Sequence, residues 1–323
     1  MVATGPVPAP GRCGIAAHPV DEVGEAVLAA WDAFLAVVED PATDLSRPSR
    51  LPGWTGRDVL VHLGSWPDAR IVDGLLASAA EGGAGTSPDP DATNDVLHRA
   101  HRDASNEQVV QALHDARDRL AEFFDSEAEQ WGRIVTRSTV GPLPVLCLVH
   151  AGTFELAVHA LDLAPCGAPP PDPLLLDRGL AALLDITGAL AHRQDVDLRL
   201  TGTTPAGGWT FDSAADGWTT TPYPAGPLEG VGVRGTAVDL LEAASGRTNL
   251  LQLLVTRRLA VQQLPQWMRL APLLEDVPGL PGGAALRGAV GGVSGVAGGL
   301  AGLAGDVTGA AGRALGRLGR LGR

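Results

Sequence analysis

Five prolines crowd into the nine residues from Pro165 to Pro173. Neither helix nor ladder strand continues through such a run, because each proline fixes φ and removes a backbone donor. The run reads as a linker over 165–173, and hydrophobic period differs on its two sides. Before it, Val23, Val27, Leu28, Trp31, Phe34, Leu35 and Val38 recur at three- and four-residue spacing, one face of a helix. A second helix is expected from Arg57 to Leu76, interrupted near Pro67, with Thr55 as its N-cap and Asp58 three residues on as capping partner. A third is expected from Asn94 to Ser126 and a fourth from Val145 to Leu163. Four long helices in series predict an antiparallel four-helix bundle over 20–164, a scaffold whose facing side chains commonly build metal sites.

After the linker a helix is expected from Leu174 to His192. Short segments at 197–201, 208–212, 217–221 and 231–234 then carry Trp, Thr, Phe and Val between turn residues, which is strand chemistry. A helix from Thr236 to Ala244 closes on Gly246. This half, 174–277, predicts a small α+β domain. Residues 1–19 read as a flexible leader. Residues 278–323 form a Gly/Ala/Arg low-complexity tail, in which the uncharged stretch Gly288–Gly305 holds eight glycines, several four residues apart. Arg313, Arg317, Arg320 and Arg323 follow beside Leu315, Leu318 and Leu321. The tail is expected to be disordered, with weak membrane contact or self-association as its alternative roles.

All 24 cationic residues are arginines, against 37 carboxylates, for a formal charge of −13. That balance excludes the electrostatic footprint of a nucleic-acid binder. Cys13, Cys147 and Cys166 form no CxxC pair, and no signal peptide opens the chain, so a cytoplasmic location is expected.

Among side chains able to carry chemistry, Glu155 and His159 lie four residues apart in the fourth helix, one turn apart on one face, where they can share a cation. His62 lies in the second helix beside Val59, Leu60, Val61 and Leu63. A surface Glu–His contact and a core histidine are the bland alternatives. Ligands from two facing helices would leave one coordination position open, the catalytic arrangement. His150 is out of phase with His159, and His98, His101 and His114 read as a solvated face.

The run Leu51-Pro-Gly-Trp-Thr-Gly-Arg-Asp-Val-Leu-Val-His62, with Phe154-Glu155-Leu-Ala-Val-His159-Ala-Leu-Asp162, resembles the mycothiol-dependent maleylpyruvate isomerase family of the DinB-like metalloproteins. The resemblance implies a DinB-like bundle in which His62, Glu155 and His159 bind a divalent cation, typically zinc. It implies mycothiol as thiol cosubstrate, whose pKa the cation would lower, acting on a small-molecule electrophile. Val233-Arg234-Gly235-Thr-Ala-Val-Asp239-Leu-Leu and Gly246-Arg247 resemble the family's sterol-carrier-like C-terminal domain. An arginine of that domain assists the anionic substrate; Arg247 matches first and Arg234 second. Asp162 is expected to support the site or to cap its helix. A non-catalytic, metal-stabilised binding or sensor protein is the alternative to the enzyme.

Overall fold

The computed structural model of the protein describes residues 8–9, 11–83, 90–138, 141–267 and 269. The tail from 278 onward lies outside the described residues. Helices α1 (Val20–Val38), α2 (Gly56–Leu63), α3 (Ile71–Ala80), α4 (Pro90–Ala100), α5 (Asn106–Ser126) and α6 (Ala128–Trp131) are followed by a short ribbon of β1 (Val135–Thr136) and β2 (Leu143–Pro144). Then come α7 (Val145–Asp162) and α8 (Pro173–Arg193). The second half holds β3 (Leu198–Thr204), β4 (Gly207–Ala214), β5 (Gly217–Tyr223), β6 (Gly232–Arg234), α9 (Ala237–Ala244), α10 (Leu250–Val255), β7 (Ala260–Gln262) and α11 (Leu264–Trp267).

In the helical half α1, α5, α2 and α7 touch in a closed ring: α1 meets α5 and α7, and α2 meets the same two. The apolar stripe of α1 supplies Val23, Val27, Trp31, Phe34 and Leu35 to their shared core. α7 is long and apolar enough to cross a membrane, with mean hydropathy 1.3, but 72% of it is buried in the protein. It is the central helix of a core.

Two of the expected helices are divided. The segment 57–76 splits into α2 and α3 around Pro67, where Trp66 and Ala69 pair in a tight turn. The segment 94–126 splits into α4 and α5. The cause is Ser105, whose hydroxyl accepts from Gln108 N while Gln108 returns a bond to Ser105 N, a capping box that starts a new helix.

The second half is a five-stranded mixed sheet, order β5-β4-β3-β6-β7, in which only β3–β6 is parallel. Register pairs Leu200 with Phe211, and Phe211 with Thr220. α8 serves both halves. Leu175, Leu176, Ala182 and Ala189 join the helical core, whereas Leu180, Ala181, Leu184 and Leu190 join the core under the sheet. Gly179 makes the α7–α8 approach possible, since a Cβ there would lie 2.5 Å from that of Ala157.

The leader differs from its expectation from Gly11 onward. Residues 14–17 form a 3-10 turn, and Cys13, Ile15 and Ala16 are buried. Ile15 N donates to the Asp185 carboxylate at 2.9 Å, Trp218 N donates to Arg12 O, and His18 Nε2 meets Thr220 O at 2.9 Å. The segment therefore runs along β5, covering the sheet edge. Gly14 (φ +61) is required, because a Cβ would collide with Asp185 and Trp218.

Candidate metal centre

The turn before α2 fixes where His62 falls. Leu51-Pro52-Gly53-Trp54 is a reverse turn closed by Trp54 N donating to Leu51 O at 3.1 Å, with Gly53 at φ +82. Proline second and a left-handed glycine third is the type II pattern. Thr55 then caps α2: its Oγ1 accepts from Asp58 N, and Asp58 Oδ2 accepts from Thr55 N at 2.8 Å. Arg50 N donates to Asp162 O at 2.9 Å, which ties this turn to the C-terminal end of α7. The start of α2 is thereby pinned beside the segment that carries Glu155 and His159.

One ligand atom from each of His62, Glu155 and His159 lies within 4.8 Å of the other two. His159 Nε2 is 3.4 Å from Glu155 Oε2, and the two imidazole rings stand 5.3 Å apart at 75°. No other such trio occurs among the described residues. Each histidine is oriented through its other nitrogen. His62 Nδ1 bonds Asn94 Oδ1 at 2.8 Å, and His159 Nδ1 bonds Asp162 Oδ2 at 3.0 Å. With both Nδ1–H groups donated to oxygen acceptors, Nε2 is the nitrogen each ring turns towards the trio, the usual outer-shell arrangement of metal-binding histidines. Two borderline imidazole nitrogens and one carboxylate suit zinc and similar divalent ions. The donor set fits.

Burial, then the neighbouring His159, lowers the pKa of His62 to about 4, so the ring is neutral near pH 7. Burial also pulls His159 down, but its hydrogen bonds to the Asp162 and Glu155 carboxylates outweigh it and raise the value above the ordinary one. Glu155 stays low: burial opposes ionisation, and the bond to His159 overcomes it. Although closely surrounded, Glu155 keeps 43% of its side-chain surface open. That opening is the accessible side of the site.

Asp162 is fully buried and holds His159 on one side and Arg247 on the other. Arg247 Nε donates to Oδ1 at 3.0 Å and Nη2 to Oδ2 at 2.8 Å, a two-pronged charge-assisted pair. The α9 terminus aims this arginine. Gly246 N donates to Ala243 O and Arg247 N to Glu242 O, with Gly246 at φ +69, a Schellman ending that turns the next side chain back towards α7. Glu242 also accepts from Arg50 Nη1 at 2.5 Å and Thr248 Oγ1 at 2.6 Å. Arg247 thus reaches the centre through Asp162, with its guanidinium directed at that carboxylate. Arg234 is exposed on β6 and donates to Gly226 O. No contact joins it to the three ligands among the described residues.

The other histidines divide. His150 is buried with its Nδ1 unpartnered among the described residues, away from the trio. His101 bonds Asp68 at 3.0 Å and His114 bonds Glu39 at 2.8 Å. The expectation of a solvated face fails for α4, where Asn94 and His98 turn towards α2 and Trp54. Sequence reasoning missed both. Their four-residue spacing was the available signal, hidden by the charged residues around them.

Residues 26–164 match the family described as Mycothiol maleylpyruvate isomerase N-terminal domain. The helical half of the chain is therefore a member of that domain family, followed by an α+β region. Two solved structures are similar: a mycothiol-dependent maleylpyruvate isomerase, at 18% identity, and a histidine-to-alanine mutant of it, at 17%. Each match covers 73% of this chain and 92% of the other, with a TM-score of 0.46. No curated protein matches the chain.

Proposed function

We propose that the protein is a divalent-metal-dependent, mycothiol-dependent enzyme that performs thiol-assisted isomerisation or thiol transfer on a small electrophile. The observation that carries this reading is the convergence of His62, Glu155 and His159 within 4.8 Å, with Glu155 opening the site to solvent. The match of residues 26–164 to the mycothiol maleylpyruvate isomerase N-terminal domain supports the choice of thiol. Within this reading the helical half is a DinB-like bundle and the α+β half a sterol-carrier-like domain. Zinc is the expected ion and the cytoplasm the expected location; the three cysteines are free.

His62 and His159 would hold the cation through Nε2, and Glu155 would offset its charge. A bound divalent ion would supply Lewis acidity and lower the pKa of a thiol, giving a nucleophile near neutral pH. Asn94 and Asp162 keep both imidazoles in the tautomer that ligation needs. Of the two arginines expected to assist the substrate, Arg247 reaches the centre through Asp162, from the second half of the chain, whereas Arg234 bonds Gly226 O. Metal analysis of the untagged protein, together with thermal protection by mycothiol, tests the reading. The expected result is near-stoichiometric zinc and a raised Tm; a metal-free protein indifferent to the thiol refutes it. Tight retention of a small molecule with no thiol-dependent turnover would instead indicate a carrier or sensor.

A further inference from the structure

Leu198, Leu200 and Phe211 turn into the core that α8 shares with the sheet. By the two-residue alternation of strands, Arg199 on β3 and Asp212 on β4 turn to the opposite face. That face holds a cavity of about 570 Å³, open to solvent, with this cross-strand pair in its floor. Glu229, ahead of β6, and Gln263, Gln266 and Arg269, after β7, complete the lining. Tyr223 lines it too, its hydroxyl donating to Pro227 O at 2.8 Å and accepting from Glu229 N at 3.1 Å, so the ring is held in place. The other polar groups are uncommitted. Arg199 and Asp212 come no nearer than 4.0 Å. The side chains of Asp197, Glu229, Gln263, Gln266 and Arg269 bond no partner among the described residues. Surface carboxylates elsewhere are answered, Asp32 by Arg117 at 2.9 Å and Asp73 by Arg119 at 2.7 Å. Gln263 also holds a left-handed backbone, φ +56, uncommon for a residue with a side chain and clustered at ligand sites.

We propose that this cavity is a second binding site, for a neutral polyhydroxylated molecule of one or two rings, a sugar or cyclic polyol. Its volume lies within the range of small-molecule sites. The three carboxylates of the lining repel an anion, and its two guanidiniums repel a cation. A lining so polar rejects a lipid chain. A zwitterion needs its two charges met at separate poles, whereas here Arg199 and Asp212 sit side by side. A hydroxyl both donates and accepts, and adjacent ring hydroxyls match a wall on which carboxylates alternate with guanidinium and amide groups. The site shares no residue with the metal trio, so it stands apart from the function proposed above.

The test titrates the full chain with myo-inositol, methyl α-glucoside and maltose and follows the side-chain amide resonances of Gln263 and Gln266, assigned by their loss in Gln263→Ala and Gln266→Ala. At least one of the three probes should move both resonances saturably, with Kd of about 1 mM or tighter. Asp212→Asn and Arg199→Met should each weaken that probe about tenfold or more. Asp118→Asn, the same loss of charge on exposed α5, should leave it unchanged. Treatment with EDTA should also leave it unchanged, because the cavity is separate from the metal centre. Resonances unmoved by all three probes at about 20 mM overturn the proposal, and so does wild-type affinity in Asp212→Asn. Inorganic phosphate or free glutamine moving the same resonances as tightly overturns the assigned chemistry. Binding that disappears with EDTA belongs to the metal centre and overturns the second site, while the function proposed above survives.

Discussion

Replacing Arg247 by methionine removes the guanidinium that pairs with Asp162, and the cost follows from burial. The Asp162 side chain is 0% exposed and that of Arg247 only 9%. Breaking such a pair from one side strands a buried charge, typically about 3–5 kcal/mol. His159 remains as a partner for Asp162 at 3.0 Å, so the lower end applies, about 3 kcal/mol. The double variant Asp162→Asn, Arg247→Met removes both charges together and should cost about 1–2 kcal/mol, less than the single change. Urea unfolding of metal-free protein measures both, with Arg234→Met as the exposed control, expected within about 0.5 kcal/mol of wild type. Zinc affinity by chelator competition should fall about 10–100-fold in Arg247→Met, because the carboxylate that orients His159 is itself unanchored. A single variant costing under about 1 kcal/mol, or no less stable than the double, would refute the argument that Arg247 neutralises a buried carboxylate.

His62→Ala and His159→Ala should each lower zinc affinity by several kcal/mol, and Glu155→Gln should weaken it, while His150→Gln and His98→Gln keep full metal in the same titration. Asn94→Leu should weaken zinc about 10–100-fold without altering helicity by circular dichroism. Gly179→Ala should destabilise by about 1–3 kcal/mol through collision with Ala157, whereas Gly74→Ala, facing open space in α3, should stabilise by about 0.5–1 kcal/mol; equal melting shifts would contradict the packing assigned to α8. Burial lowers His150 from 6.5 to about 4. Its folded form resists a proton that the unfolded chain binds, so stability present above pH 6.5 is lost as pH falls towards 4, by about 3 kcal/mol. His150→Gln should flatten that part of the unfolding profile, and an unchanged slope would rule His150 out as its source.

The ligand trio was legible because each member is written locally. Glu155 and His159 are one helical turn apart, and the Pro-Gly-Trp-Thr turn with its Thr55–Asp58 capping box sets the phase of α2 and hence of His62. Asn94 and His98 were not legible. The charged positions of α4 imply a solvated helix, and only its contact with α2 decides which face turns inward. The division between α4 and α5 was readable in principle from the Ser105–Gln108 pair, but the continuous helical pattern masked it. The leader was opaque for another reason: its glycines and prolines imply fraying, while the carboxylate that captures Ile15 N lies 170 residues away. β7, three residues long, carries too little pattern to be read.

The double duty of α8 bears on how the chain acquires its structure during synthesis. When residue 164 has left the ribosome, all three ligands exist, yet the α7 surface around Ala157 still lacks Leu175, Leu176 and Gly179. The Asp162 partner comes later still, at Arg247, and the sheet edge that receives the leader at Trp218. A nascent helical half therefore waits, with apolar surface uncovered, for segments translated afterwards, which exposes it to chaperones and slows its final closure. Because one helix belongs to two hydrophobic cores, the halves gain little by forming alone. The mature chain should melt as one cooperative body despite reading as two.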